Sequence, residues 1–187
     1  MEIDFEKDLR DCCKNAASFL RSKNLEYNKK AKEENMKESF PGEREFVSDV
    51  YMLLVKKNCS YRNSLFIDYL RPDKDEQIET KVPDLVFRDD RGHKSVVEIK
   101  VVVNRLKDGH KPWKIDLEGP NGTGGIKGDY QKLKDHYKSF ESKLQVVAYL
   151  GPYLDYEDEK AFLNGFEESI TSELKIKPND IIKVIVC

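Results

Sequence analysis

VPDLVFRDDRGHKSVVEIKVVV, residues 82–103, consists of two apolar runs on either side of a polar turn that contains a glycine. Runs this rich in Val, Ile, Leu and Phe predict adjacent strands of a β-hairpin. Because side chains alternate between the faces of a strand, Glu98 and Lys100 share one face and the apolar residues beside them share the other. A charged pair in a buried strand costs free energy unless something binds it. The stretch therefore predicts a functional site on a β-sheet.

Helical and strand patterns continue on both sides of this hairpin. Apolar residues at helical spacing predict one helix over residues 4–22 and a second from Glu43 to Lys57. The polar residues 23–40 are consistent with either a solvated helix or a mobile connector. The remaining predicted elements are strands at 64–70, 77–88 and 94–103, a long loop at 104–126, a helix at 127–141, a strand at 144–150, a helix at 156–173 and a strand at 181–187.

The order of these elements, α, β, β, β, α, β, α, β, predicts an α/β fold in which a mixed β-sheet is flanked by helices. Pro41-Gly42 interrupts the chain after the polar segment. We therefore expect residues 1–40 to be an N-terminal helical appendage and residues 41–187 to be the main domain.

The composition of the 187-residue chain is that of a globular protein, with 36% charged and 39% hydrophobic residues. No apolar run approaches the roughly 18 residues of a membrane span, and no signal peptide is visible at the start. A cytoplasmic protein without a membrane partner is the expectation. The four cysteines include no C-x-x-C pair, which argues against a zinc or iron–sulfur site.

Charge is distributed unevenly although the net charge is only −2. Residues 100–138 contain nine Lys or Arg against five Asp or Glu, whereas residues 151–180 contain three against eight. A basic lobe followed by an acidic one raises the expectation of an anionic partner modestly, since charge runs often only solvate a surface.

If the two strands of the hairpin pair, Asp84 and Glu98 come from neighbouring strands and lie close enough to share one cation. Carboxylate oxygens are hard ligands that suit Mg²⁺ or Mn²⁺. A divalent ion beside Lys100 is suited to phosphate chemistry, because both stabilise developing negative charge. Two alternatives remain open at this point: an ordinary cross-strand ion pair on an exposed face, and a purely structural hairpin with Asp84 and Glu98 on opposite faces.

The residues also match a known pattern. Pro83-Asp84, thirteen intervening residues and then Glu98-Ile99-Lys100 resemble the motif of the PD-(D/E)XK nuclease superfamily, which includes type II restriction enzymes and archaeal Holliday-junction resolvases. The similar element order α-β-β-β-α-β spans residues 43–150.

This resemblance implies a restriction endonuclease-like fold and a metal-dependent nuclease, a hydrolase of phosphodiester bonds. It implies that Asp84 and Glu98, with Ile99, belong to a Mg²⁺ site and that Lys100 assists the nucleophile. The expected reaction is cleavage of DNA by an endonuclease of the restriction or repair type, with RNA not excluded as the substrate. The alternative is a catalytically inactive module of the same fold that binds nucleic acid or protein.

Members of the superfamily often add a glutamate from the helix before the first strand, and Glu43 and Glu45 are the candidates. At about 100° per residue, Glu43 lies near the middle of the apolar stripe of its helix and Glu45 lies nearly opposite. Glu43 is therefore the expected auxiliary catalytic residue. A helix-start carboxylate that only interacts with the helix dipole is the alternative.

Further candidates for contact with nucleic acid lie in the basic lobe. They are Lys111, Trp113, Lys114, Lys127 and Lys132. The lysines could bind phosphates and the tryptophan could stack on a base, whereas a solvated helix face and an anchored loop are the alternatives. Because two sites cut both strands of a duplex most easily, a homodimer is a further expectation.

Overall fold

A computed structural model describes residues 4–34, 42–67, 83–103, 110–120, 122, 124–151, 159–177 and 180–187. Within these ranges the helices are α1 (Phe5–Glu33), α2 (Glu43–Lys57), α3 (Tyr61–Ser64), α4 (Lys114–Glu118), α5 (Gly125–Asp135) and α6 (Glu159–Leu174). The strands are β1 (Leu65–Ile67), β2 (Leu85–Arg88), β3 (Lys94–Val102), β4 (Ser142–Tyr149) and β5 (Ile182–Val186).

The five strands form one mixed sheet in the order β1-β2-β3-β4-β5. The pairs β1–β2 and β2–β3 are antiparallel, whereas β3–β4 and β4–β5 are parallel. The predicted α/β fold with a mixed sheet flanked by helices is therefore confirmed, and β3 lies at the centre of the sheet.

The predicted hairpin is formed by β2 and β3, with Leu85 opposite Val97. The side chain of Asp89 organises the turn, because its carboxylate accepts hydrogen bonds from the backbone N–H groups of Arg91 and His93. Gly92 adopts φ +84°, a left-handed conformation that glycine adopts without strain. The turn thus determines the register that places Asp84 and Glu98.

The two faces of β3 contribute to different cores, as the alternation predicts. Val97 and Ile99 pack in the cluster that α1 and α2 cover, together with Phe46 and Leu9. On the other face, Val102 packs with residues of α5 and α6. Glu98 and Lys100 therefore lie on the α5 side of the sheet.

The structure differs from the sequence-based expectation in one segment. The predicted loop at 104–126 contains α4 and the start of α5 within its described part. Leu117 of α4 and Ile126 of α5 pack in one cluster, and this contact stabilises a short helix that glycine-rich flanks conceal in the sequence. Of the two alternatives for the polar segment after residue 22, the structure shows the helix as far as Glu33, because Lys, Glu and Ala sustain a helix even without an apolar stripe.

Some predicted elements lie partly outside the described residues: 35–40 of the polar segment, 68–70 and 77–82 of the strands, 104–109, 121 and 123 of the loop, and 156–158 of the helix. The division at residue 41 stays a prediction, although Leu9, Cys13 and Leu20 of α1 are buried in the same cluster as α2 and the sheet. Among the described residues no helix is both long and apolar enough to cross a bilayer.

Candidate active site

Asp84 and Glu98 face each other at the open end of the hairpin. Asp84 immediately precedes Leu85, which pairs with Val97, so the next residues in register are Asp84 and Glu98. The backbone N–H of Ile99 donates a 2.5 Å hydrogen bond to Asp84 Oδ2, which holds the carboxylate against β3. The register and the effect of the Glu98 charge on Asp84 place the two carboxylates near each other, which argues against the structural hairpin with opposed faces.

Burial makes this carboxylate pair unfavourable when both groups are charged. Removal from water and then the negative charge of Glu98 raise the pKa of Asp84 well above its usual range, against the hydrogen bond from Ile99. Burial likewise raises the pKa of Glu98 to about 7, although Lys132 and Tyr137 oppose the shift. Only 2% of Glu98 is exposed. The pair therefore favours a bound cation or proton.

Lys100, two residues after Glu98, lies between carboxylates from two helices. Its Nζ is 3.0 Å from Glu43 Oε2 at the start of α2 and 3.3 Å from Asp129 Oδ2 on α5. Burial works against the charge of Lys100, but Asp129 and Glu43 outweigh it and raise the pKa above its usual range. Lys100 is therefore a fixed cation and not a general base in this state.

Glu98 is held from the α5 side by two donors. The Tyr137 hydroxyl donates a 2.7 Å hydrogen bond to Glu98 Oε1, and Lys132 Nζ lies 3.4 Å from Glu98 Oε2. Lys132 also lies 2.7 Å from Asp129 Oδ1. Both oxygens of the central carboxylate therefore have a donor, and Lys132 joins the sheet to the helix.

These contacts join four carboxylates and two ammonium groups, which we call the acid–lysine cluster. Its members are Glu43, Asp84, Glu98, Asp129, Lys100 and Lys132. With every group ionised, the carboxylates outnumber the ammonium groups by two, a charge that one divalent cation balances.

The carboxylate pair fits Mg²⁺ better than a metal that needs a full protein cage. Within the described part of the chain, no three His, Cys, Asp or Glu side chains converge on one metal position. Mg²⁺ commonly uses one or two protein carboxylates and takes its other ligands from water and phosphate. Asp84 and Glu98 satisfy that requirement, and their raised pKa values indicate the repulsion that a cation would relieve.

The two glutamates at the start of α2 lie in different surroundings. Glu43 contacts Lys100 in the acid–lysine cluster, whereas Glu45 contacts Lys23 of α1 at 3.2 Å on the surface. The apolar stripe of α2, with Phe46 and Val50 buried, turns Glu43 towards the sheet as expected. The catalytic role of Glu43 stays a prediction.

Two residues of the cluster region, Asp129 and Tyr137, were assigned no role from sequence. Asp129 is only 3% exposed on the helix face that buries Ile126 and Leu133. A carboxylate inside an apolar helical stripe is a signal that sequence reasoning could have used. Tyr137 lies just beyond α5, and its pattern is indistinguishable from that of a core aromatic residue.

The candidates for contact with nucleic acid occupy varied positions. Lys111 and Lys127 form ion pairs with Glu173 of α6, at 2.7 and 3.1 Å. Lys114 is largely exposed and lies 3.5 Å from Glu118, and Trp113 precedes α4 with about half of its surface exposed.

Lys132 differs from these candidates because it lies inside the acid–lysine cluster. The structure thus brings together Asp84, Glu98, Lys100, Glu43 and Lys132, and not Lys111, Trp113, Lys114 or Lys127. The roles of all these residues remain predictions.

Comparison with known proteins identifies no family. No protein-family model matches the sequence, and no curated protein matches it. Among solved structures, the fold is similar to that of SfsA from Pyrococcus furiosus in complex with Ca²⁺, with 10% sequence identity and a TM-score of 0.35. The match covers 75% of this chain and 55% of SfsA, so the chain spans about half the length of that protein. A likeness this distant carries no inference about function.

Proposed function

We propose that the protein is a Mg²⁺-dependent nuclease that cleaves DNA, with a restriction endonuclease-like arrangement of the sheet. The observation that carries the proposal is the pair Asp84 and Glu98, which lie opposite each other in the hairpin. Lys132 and Asp129 link this pair to the ammonium group of Lys100. Buried carboxylates with raised pKa values mark a candidate functional site, and a fixed cation in the same cluster can stabilise negative charge that develops on a phosphate.

Asp84 and Glu98 would hold the metal ion, with Ile99 contributing from the main chain. A Mg²⁺ ion bound there supplies polarisation of a water molecule and compensation of charge on the phosphate. Because Asp84 is tied to the N–H of Ile99, its carboxylate stays in place without the ion. The site is therefore preorganised by the hairpin.

Lys100 stabilises charge and orients the water. Glu43 and Asp129 keep it protonated and hold it from two sides, so its ammonium group has a defined position. A protonated lysine donates hydrogen bonds to the phosphate or to the attacking water and takes no proton from either. Glu43 acts as a positioning residue through Lys100.

The test is cleavage by purified protein of a supercoiled plasmid, linear duplex, branched duplex, single-stranded DNA and RNA. We expect cleavage of DNA in Mg²⁺ and none in EDTA or with Asp84→Asn. Preferential cleavage of RNA would change the proposed substrate but not the proposed mechanism. If the protein cleaves none of these substrates in either Mg²⁺ or Mn²⁺, the proposal is contradicted.

A second candidate is a binding module that uses the same fold without cutting. The hydrogen-bond donors around Glu98 favour this candidate, because Lys132 and Tyr137 already contact both oxygens of its carboxylate. In such a module Lys132 replaces the metal ion. Titration with Mg²⁺ separates the two: a nuclease gains thermal stability that Asp84→Asn removes, and a module without a metal site gains none.

A further inference from the structure

A groove on the far side of α5 from the acid–lysine cluster is rich in lysines. It has a volume of about 770 Å³ and lies between α5, the end of α6 and the first residues of β4 and β5. Five lysines line it: Lys127, Lys134, Lys143, Lys175 and Lys177. The acidic residues that line it are Glu173 and Asp180.

The acidic residues of the groove are already engaged, whereas most of its lysines are not. Glu173 pairs with Lys111 and Lys127, and Asp180 accepts hydrogen bonds from Tyr130 and the backbone of Lys177. Among the residues that the structure describes, no carboxylate forms an ion pair with the remaining four lysines, which are Lys134, Lys143, Lys175 and Lys177. The groove therefore has uncompensated positive charge.

Lys143 is the most informative of these lysines because only 8% of it is exposed. Burial and the neighbouring Lys138 lower the pKa of its ammonium group. The buried part of Lys143 is mainly its aliphatic stem, and its ammonium group reaches the groove close to Lys138. An anion in the groove would compensate this concentration of positive charge.

Lys175 lines the groove from the C-terminal end of α6. It ends α6 with φ +54°, a left-handed conformation in which glycine is strongly preferred. The position costs conformational energy for a lysine, and its side chain lines the groove.

The geometry of α5 relates the groove to the acid–lysine cluster. At about 100° per residue, Asp129 and Lys132 lie on one flank of the helix and Lys127 and Lys134 lie on the other. A helix with its side chains is about 10 Å across, and a nucleic-acid strand advances about 3.4 Å per nucleotide. A strand of a few nucleotides therefore spans the distance from cluster to groove.

We propose that this lysine groove binds the phosphate backbone of the nucleic-acid substrate a few nucleotides from the reacting phosphate. The inference rests on the proposed nuclease function for the identity of the ligand. Its contacts are to phosphates, so they add affinity without sequence preference.

The test measures binding of a fluorescein-labelled DNA duplex to the full chain in EDTA. Fluorescence anisotropy gives the affinity at each of a series of salt concentrations. The double variant Lys143→Met/Lys175→Gly removes one positive charge that lies close to Lys138 and one non-glycine residue in a left-handed conformation, so its melting temperature is expected to be equal to or above that of the wild type. We expect its affinity to fall about tenfold or more and the salt slope to become shallower by about 2.

The matched control is Lys14→Gln/Lys56→Gln, which removes two exposed charges from α1 and α2 on the opposite face of the sheet. Its affinity should stay within about twofold of wild type, since a remote exposed charge adds little at physiological salt. Equal affinity and slope in the groove variant and the wild type would overturn the inference, and so would an equal loss in the control.

The outcomes also separate this inference from the proposed function. If the wild type binds DNA through the groove but cleaves no DNA in Mg²⁺, the result supports DNA binding by the groove and contradicts the proposed nuclease activity. If the wild type cleaves DNA and the groove variant binds DNA as tightly as the wild type, the result supports the nuclease activity and contradicts DNA binding by the groove.

Discussion

The hydroxyl of Tyr137 donates a 2.7 Å hydrogen bond to Glu98, and both side chains are buried. Tyr137→Phe removes this donor from a carboxylate, and we expect it to lower the free energy of unfolding by about 2 kcal/mol at pH 8. Because the pKa of Glu98 is raised to about 7, the loss should be smaller at pH 5, where the carboxyl is protonated. Urea unfolding at both pH values measures the difference. Tyr130→Phe, which loses only a 3.4 Å bond to exposed Asp180, is the control; equal losses at the two pH values would contradict the prediction.

The raised pKa of Glu98 predicts the pH dependence of stability in EDTA. The folded-state pKa is about 7 and the ordinary value is 4.5, so the unfolded state releases the proton first as the pH rises. This contribution to stability is present below pH 4.5, declines up to pH 7 and is absent above it. Its size is at most about 3 kcal/mol.

Glu98→Gln should lack this decline. The stability of the variant relative to the wild type should therefore increase between pH 5 and pH 8. Melting temperatures across that range measure the effect. Mg²⁺ should reduce the decline in the wild type, because it binds the ionised carboxylate. Parallel pH profiles of the wild type and the variant in EDTA would show that Glu98 titrates normally.

Lys100 is expected to act on the reaction and not on metal binding. Lys100→Met should lower the cleavage rate about 100- to 1,000-fold through loss of charge stabilisation. The increase in melting temperature with Mg²⁺ should persist, because the carboxylates of Asp84 and Glu98 remain. Lys14→Met, at an exposed side chain of α1, should leave both quantities unchanged. Loss of the Mg²⁺ effect in Lys100→Met would place this residue in the metal site instead.

Glu43 and Glu45 form a matched pair for mutagenesis. Glu43→Gln weakens the ion pair that positions Lys100 and should lower the cleavage rate about tenfold. Glu45→Gln loses only a surface contact with Lys23, so its cleavage rate should stay within about twofold of that of the wild type. Single-turnover rates in Mg²⁺ compare the variants. If both substitutions have the same effect, Glu43 is no more than a helix-start carboxylate.

Gly125 at the start of α5 allows close contact with α4. An added Cβ would lie 2.6 Å from the backbone N of Gly119 and 2.8 Å from the carbonyl O of Asp116, and Gly125 has φ +63°. Gly125→Ala should therefore destabilise the protein by about 3 kcal/mol. Gly128 in the same helix has no atom within 4 Å of such a Cβ, so Gly128→Ala should stabilise by about 0.5–1 kcal/mol. Denaturant unfolding compares them, and a neutral Gly125→Ala would contradict the close packing.

The central hairpin was predictable because its evidence is local. Alternating apolar residues, a glycine-containing turn and paired charges determine which face Glu98 occupies, and the helical angle distinguishes Glu43 from Glu45. The mixed sheet follows from the order of such local elements.

The rest of the site depends on contacts between distant segments. Asp129 joins Lys100 only because α5 crosses the sheet at that point, and Lys132 turns towards Glu98 because that buried carboxylate needs a donor. Helix α4 was missed since its five residues are stabilised by packing on α5 rather than by an amphipathic pattern of their own.

Strand β3 has a neighbour on each side, antiparallel β2 and parallel β4, so Glu98 and Lys100 project from the middle of the sheet. Interior strands exchange their amide protons only on global opening, whereas peripheral elements fray at lower energy. We therefore expect the backbone of Glu98 and Lys100 to be among the slowest to exchange in the described part of the chain. A destabilising substitution in an outer strand such as β1 or β5 should shorten the lifetime of the folded state. While the protein remains folded, the positions of the Glu98 and Lys100 side chains should not change.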